Sequence, residues 1–308
     1  MDGRGTDGRE ARGALRVSGV PTKYVAGLPQ PGRALVMGVL NVTPDSFSDG
    51  GQWLEPDRAI SHGLELLAEG ADLLDVGGES TRPGAARPSE EEELRRVLPV
   101  VRALAGAGAL VSVDTMRSRV AREALDAGAV MVNDVSGGLA DPAMLPFVGA
   151  AEVPYICMHW RGHSQQMQGR AVYDDVVAAV VAELGQRIEA AHAAGISPDR
   201  LVIDPGLGFA KTGEHNWDLL SALDQLTELG QPVLVAASRK SFLGRLLADP
   251  DTGEQRRTVD RDDASAAVAV LAASAGAWCV RAHAVRPTLD GVKVAAAWGA
   301  AADARARG

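Results

Sequence analysis

The sequence predicts an α/β protein folded as a single (β/α)8 TIM barrel. Three observations predict it. About eight short apolar runs alternate with amphipathic segments over ~260 residues, the count and length such a barrel needs. The first strand-to-helix turn reads NVTPDSF, without the GxGxxG of the doubly wound nucleotide-binding sheet built from the same units. Nearly every apolar run ends in a side chain that hydrogen-bonds or carries charge, and such ends meet at one point only if the sheet closes.

Composition narrows the function classes. The 308 residues carry a net charge of −9, with a pI near 5.2. That excess of acid argues against nucleic acid and against an anionic membrane surface as partners. No apolar run approaches the ~20 residues that span a bilayer. Aromatics make up only 4%, so the core must be built from Ala, Val and Leu. The opening MDGRGTDGREARGALRVSG lacks the apolar centre of a signal peptide. It predicts a flexible, disordered tail over 1–30 ahead of one catalytic domain over 31–302, with no linker inside 33–300. Cys157 and Cys279 lie far apart, each inside a predicted strand, which fits free thiols in a reducing cytoplasm.

The strand candidates, in order, are Ala34–Val42, Ala71–Gly77, Ala109–Asp114, Val130–Val135, Val153–His159, Leu201–Asp204, Pro232–Ala237 and Ala277–Arg281. Helical spacing fills the gaps. From Asp57, residues Ile60, Leu64 and Leu67 share a face. Ser89 and Glu92 have capping-box spacing before Leu94, Val97, Leu98, Val101 and Leu104. Helices follow over Met116–Ala127, Asp174–Ala194 (closing at Gly195), Trp217–Leu229, Ala264–Ser274 and Thr288–Trp298. The polar run Asp249–Asp263 reads as an exposed loop.

The strand ends hold the chemistry. They are Asn41, Asp75, Asp114, Asn133, Met158-His159, Asp204, the Ser238-Arg239-Lys240-Ser241 run, and Arg281 with His283. Acids and amides occupy the first six strands and cations the last two. Barrels often bind phosphate after strands seven and eight, although Lys240 and Arg281 could equally be ion-pair partners of nearby carboxylates. Buried carboxylates and amides suit a ligand rich in N–H donors, so the residues point to a nitrogen-rich heterocycle bearing phosphate. No Ser-His-Asp, Cys-His or HExxH spacing appears. His62 and His192 fall in helices, and His163 and His215 in loops.

In this order, MGVLNVTPDSFSDGG, DVGGESTRPG, VSVDT, VNDVSGG, MHW, DPGLGFAKT, SRKSFLG and RAHAV resemble the dihydropteroate synthases over essentially all of 33–300. The resemblance implies a cytoplasmic, homodimeric pterin-binding TIM barrel of folate biosynthesis. Such a transferase condenses hydroxymethyl-dihydropterin pyrophosphate with p-aminobenzoate, using Mg²⁺. It further implies metal contacts at Asn41 and Asp49, and a pterin pocket of Asp114, Asn133, Asp204 and Lys240 lined by Met158. The pyrophosphate pair would be Arg281 and His283. The p-aminobenzoate side, where sulfonamides also bind, would be Thr81, Arg82, Pro83, Phe209, Lys240 and Ser241. The catalytic set would then be Asp49, Arg82, Lys240, Arg281 and His283, with loops 43–51 and 79–88 closing over an SN1-like displacement. The chain departs from the family pattern at Ala284, where an aspartate is usual. Two alternatives compete: a pterin-binding methyltransferase barrel, and a pterin-binding paralogue with weak or no synthase activity.

Overall fold

All eight apolar runs become parallel strands in the computed structural model, which describes residues 19–43, 55–79, 87–162 and 167–307. They are β1 (Leu35–Asn41), β2 (Leu73–Gly77), β3 (Val111–Asp114), β4 (Met131–Asp134), β5 (Tyr155–Met158), β6 (Leu201–Asp204), β7 (Leu234–Val235) and β8 (Cys279–Ala282). The hydrogen-bonded order is β6-β5-β4-β3-β2-β1-β8-β7. Closure between β6 and β7 rests on an isolated Ile203–Val233 bridge and on the Ile203 N–H donating to Pro232 O at 2.9 Å. β7 is shorter than the expected 232–237 because Pro232 brings no N–H to a ladder.

Ten helices surround the barrel among the described residues: α1 (Glu55–Ala68), α2 (Glu90–Gly106), α3 (Ser118–Asp126), α4 (Met144–Ala151), α5 (Val176–Ala193), α6 (Gly213–Ser221), α7 (Leu223–Thr227), α8 (Ser241–Leu246), α9 (Asp262–Ser274) and α10 (Val285–Arg307). Two of them, α4 and α8, escape sequence reading. MLPFVGAA is apolar on nearly every face and SFLGRL is too short to show a period. The expected helix 217–229 splits into α6 and α7 at Ala222, whose φ of −114° leaves the helical range. α6 also starts earlier than expected, because Thr212 and His215 form a capping box there. His215 is therefore a first-turn helix residue and not a loop residue. In α1 the buried stripe runs through Ala59, Gly63 and Leu66, and Leu64 is exposed. Gly63 lets the α2 residue Leu104 approach closely, which draws that side of α1 inward.

Ser89 caps α2 as its spacing predicts, accepting from the Glu92 N–H at 3.2 Å. Glu92 itself turns to Arg95 and Arg96. Ser89→Ala is expected to cost about 1 kcal/mol of stability, read as a lower denaturation midpoint with unchanged slope.

Period-two alternation divides the core in two. Leu35, Met37, Leu73, Met131, Ile156, Val202, Leu234 and Cys279 face the barrel axis. Their neighbours Val36, Leu74, Val113, Val132 and Ile203 face the helices, in one cluster that also holds Val97, Val101 and Leu104 of α2 and Val180 and Leu184 of α5. Val25 and Leu28 close the floor beside Trp278, and the Ala26 N–H donates to Asp199 O at 2.8 Å. Residues 19–30 are thus packed against the barrel, which places part of the expected tail within the fold; residues 1–18 lie outside the described residues. Above this apolar floor the axis-facing residues turn polar, with Asp75, Ser112, Asn133 and Asp204 all buried. That change of character marks the mouth.

Candidate active site

The mouth is held together by one guanidinium. Arg281 on β8 donates through Nε to Asp75 Oδ2 at 2.6 Å and through Nη2 to Asp114 Oδ2 at 3.0 Å. Asn133 Nδ2 donates to the same Asp75 oxygen at 2.9 Å. Four strands thereby fix one another's polar ends. Gly77 leaves room beside them, since a Cβ there would lie 3.3 Å from that of Asp114 and press on it. Asp75 belongs to this group although the sequence gives it no family role. Its signal is parity: Leu73, Asp75 and Gly77 share the inward face of β2.

Burial pushes the Asp114 carboxyl up to about 8, and the Asp75 charge adds to the rise. Between the ordinary carboxylate value and pH 8 the native state then binds a proton that the unfolded chain has lost. Stability from this group is present at low pH and falls as pH rises through that window. Asp114→Asn should flatten this decline in melting temperature between about pH 4 and 8.

A second group lies between β6 and α8. Asp204 Oδ1 accepts from the Gly206 N–H at 2.7 Å, and burial raises its carboxyl pKa. Gly206 has φ +67°, and a Cβ there would sit 2.4 Å from His159 O, so no larger residue fits this turn. Lys240 Nζ donates to Leu207 O and stands 4.9 Å from the centre of the Phe209 ring. Burial lowers its pKa to about 8. Met116, Val135 and Met158 pack with Trp160 and Phe209 into an apolar wall beside these acceptors. His283 meets Ser238 Oγ through both its backbone N (3.1 Å) and Nδ1 (3.0 Å). Ser241 opens α8, is exposed, and accepts from Arg245 Nη2 at 3.3 Å. Arg239, from the same run, is an ion-pair partner of Asp262.

Of the expected site residues, Asp114, Asn133 and Arg281 share one network, and Asp204, Phe209 and Lys240 form the second group. The charges of Asp204 and Arg281 feel one another, as do those of Lys240 and Asp114. Asp49, Thr81, Arg82 and Pro83 lie outside the described residues, as do most of the two expected closing loops. Ala284 follows β8, and its carbonyl accepts from Thr288 Oγ1; Arg281 pairs with Asp75 and Asp114. Asn41 ends β1 opposite Gly77. Among the described residues no cluster of three or more His, Cys, Asp or Glu could hold a metal. One amide oxygen suits an Mg²⁺ whose remaining ligands are waters and substrate phosphate oxygens.

A family model described as pterin binding enzyme matches residues 37–283. The dihydropteroate synthase of Mycobacterium leprae is 56% identical over 264 residues, covering 85% of this chain and 93% of that protein. The chain belongs to the dihydropteroate synthase family of pterin-binding enzymes. Among solved structures, the Xanthomonas albilineans dihydropteroate synthase with 4-aminobenzoic acid is 47% identical with a TM-score of 0.79, over 87% of this chain and 93% of that one. The same enzyme in complex with 7,8-dihydropteroate aligns at 45% identity and a TM-score of 0.76, over 87% and 94%. As a dihydropteroate synthase family member the chain is a transferase, and the barrel with polar strand ends is its family's scaffold. None of its helices, among the described residues, is long and apolar enough to cross a membrane.

Proposed function

We infer that this chain joins hydroxymethyl-dihydropterin pyrophosphate to p-aminobenzoate, giving dihydropteroate and pyrophosphate. The 56% identity to a dihydropteroate synthase over 85% of the chain carries this reading. In our assignment Asp204, Asn133 and Asp114 accept the N–H edge of the pterin, and Met158 with its apolar neighbours covers the ring face. Supporting this, Asp204 keeps an oxygen beyond the one that accepts from Gly206, at the base of that wall. Arg281 and His283 take the diphosphate, while Lys240 and Phe209, with Ser241, Thr81, Arg82 and Pro83, receive p-aminobenzoate. Asn41 and Asp49 would hold Mg²⁺, which when bound would neutralise charge on the diphosphate.

No protein nucleophile is required. The pterin methylene can release pyrophosphate to a cation delocalised into the ring; the neutral arylamine then attacks it, and the ammonium so formed gives its proton to solvent. The chain's own contribution is to place cations where the leaving group gathers charge, in a buried mouth shielded from bulk water, where each is worth most. The Arg281 contacts to Asp75 and Asp114 supply a reason for order: the guanidinium is aimed before substrate arrives. The cytoplasm is the location consistent with two buried free thiols. Exposed Leu271, Val294 and Trp298 on α9 and α10 support the homodimer.

Mixing both substrates with Mg²⁺ and following pyrophosphate and dihydropteroate together tests the reading. Equal release of both products is expected. Pterin binding without pyrophosphate release would reduce the chain to a binding protein, and methyl transfer to a corrinoid acceptor would make it a methyltransferase.

A further inference from the structure

Behind the mouth lies a chain of charged groups that the proposed chemistry does not use. Lys211 is buried, and its Nζ contacts His159 Nδ1 at 3.0 Å and Phe209 O at 3.1 Å. His159 is buried as well, and its Nε2 lies 2.9 Å from Glu183 Oε2 on α5. Arg161 donates to the same carboxylate and stacks 3.9 Å from the centre of the Tyr173 ring. The polarity follows from the donors. The Glu183 carboxylate only accepts, so the ring proton sits on Nε2 and Nδ1 accepts from Lys211, whose pKa burial lowers to about 7. Burial lowers the His159 pKa to about 4, in keeping with a neutral ring. The hydrogen bond from His159 leads the causes that hold Glu183 at about 2.

The purpose of so costly an arrangement lies in what the lysines grip. The six residues Pro205–Ala210 follow Asp204 and carry Phe209 into the mouth. Two lysines, half-buried Lys240 and buried Lys211, hold carbonyls of this one turn, Lys240 at Leu207 O and Lys211 at Phe209 O. The turn includes positive φ at Gly206, Gly208 and Ala210, so it does not keep its shape by backbone preference alone. Lys240 reaches it from the mouth side; Lys211 reaches it from behind, braced by His159 and Glu183.

We propose that Lys211, braced by His159 and Glu183, is a positioning group that sets where Phe209 stands and thereby the affinity for the arylamine substrate. It touches no reacting atom. The inference rests on the reading of Phe209 as part of the p-aminobenzoate side. Removing the grip lets the Phe209 carbonyl turn away and tilts the ring that meets Lys240, whereas Asp114 and Asn133 keep their partners on β8 and β2 and Asp204 keeps the Gly206 N–H at the opposite end of the turn.

Steady-state kinetics on the full chain test this. Lys211→Met should raise KM for p-aminobenzoate about tenfold, with kcat and KM for the pterin pyrophosphate changed by less than about threefold. Glu183→Gln removes charge at the half-exposed end of the chain and should shift the same KM in the same direction by about twofold to fourfold. It carries the test should Lys211→Met not fold, which a thermal melt decides. Both KM values rising together, or neither changing, would overturn the proposal. If the unaltered chain makes no dihydropteroate, the proposed reaction fails and not this positioning role.

Discussion

Arg281→Met is expected to remove synthase activity and to weaken the fold at once. The substitution keeps much of the side-chain length and discards both donors, leaving Asp75 and Asp114 facing each other inside the barrel. Breaking one side of a buried ion pair costs about 3–5 kcal/mol, most of it from the uncompensated charge left behind. Turnover should fall by about 10²–10³, the usual effect of deleting one preorganised donor to developing negative charge. The two losses separate by experiment. A second change, Asp75→Asn, relieves the stranded charge and should recover part of the melting temperature while leaving turnover low. Full recovery of turnover would make Arg281 a structural residue alone. The stability deficit should also deepen as pH rises. With the arginine gone, Asp114 loses the charge that lowers its pKa and holds its proton to still higher pH in the native state, so native stability is lost on deprotonation.

Asp204→Ala is expected to abolish pterin binding while leaving a folded protein. Its carboxyl is buried and already raised in pKa, so deleting it removes a desolvation cost along with one hydrogen bond from Gly206. The stability change should therefore stay within about 1–2 kcal/mol. Pterin affinity should drop by about 3 kcal/mol, or more than a hundredfold, because a charge-assisted double acceptor has no substitute nearby. Calorimetry with a bare pterin measures this directly, and an unchanged Kd would remove Asp204 from the pocket. Asp204→Asn should fall between, since an amide oxygen still receives the Gly206 N–H.

The fold was legible because each run announces itself twice, by its apolar stretch and by the polar residue that ends it. Strand β6 needed no adjustment of its boundaries, and the others were trimmed by a residue or more at one or both ends. What escaped was structure with no period to read. α4 is apolar all round, and the division at Ala222 depends on a single backbone angle. In the site, strand-end position found Asp114, Asn133, Asp204 and Arg281, since those residues stop an apolar run. Asp75 reads as a strand end by the same rule, but its partners Arg281 and Asn133 come together only in the closed barrel. Lys211 is harder still. Seven residues past its strand it resembles any loop lysine, and only folding brings it under His159.

The seam of the barrel gives the mouth a mechanical character. Seven strand pairs are laced by regular ladders, but β6 and β7 meet through one bridge, and this weakest join runs between the strands that lead to Asp204 and Lys240. The reach of Lys240 back to Leu207 O crosses it, so a side chain does part of the fastening that backbone does elsewhere. A ligand gripped by Asp204 on one lip and Lys240 on the other, as proposed above, would act as a rivet through that seam. Occupancy and closure of the wall would then be one equilibrium, in which filling the mouth tightens the vessel that holds it.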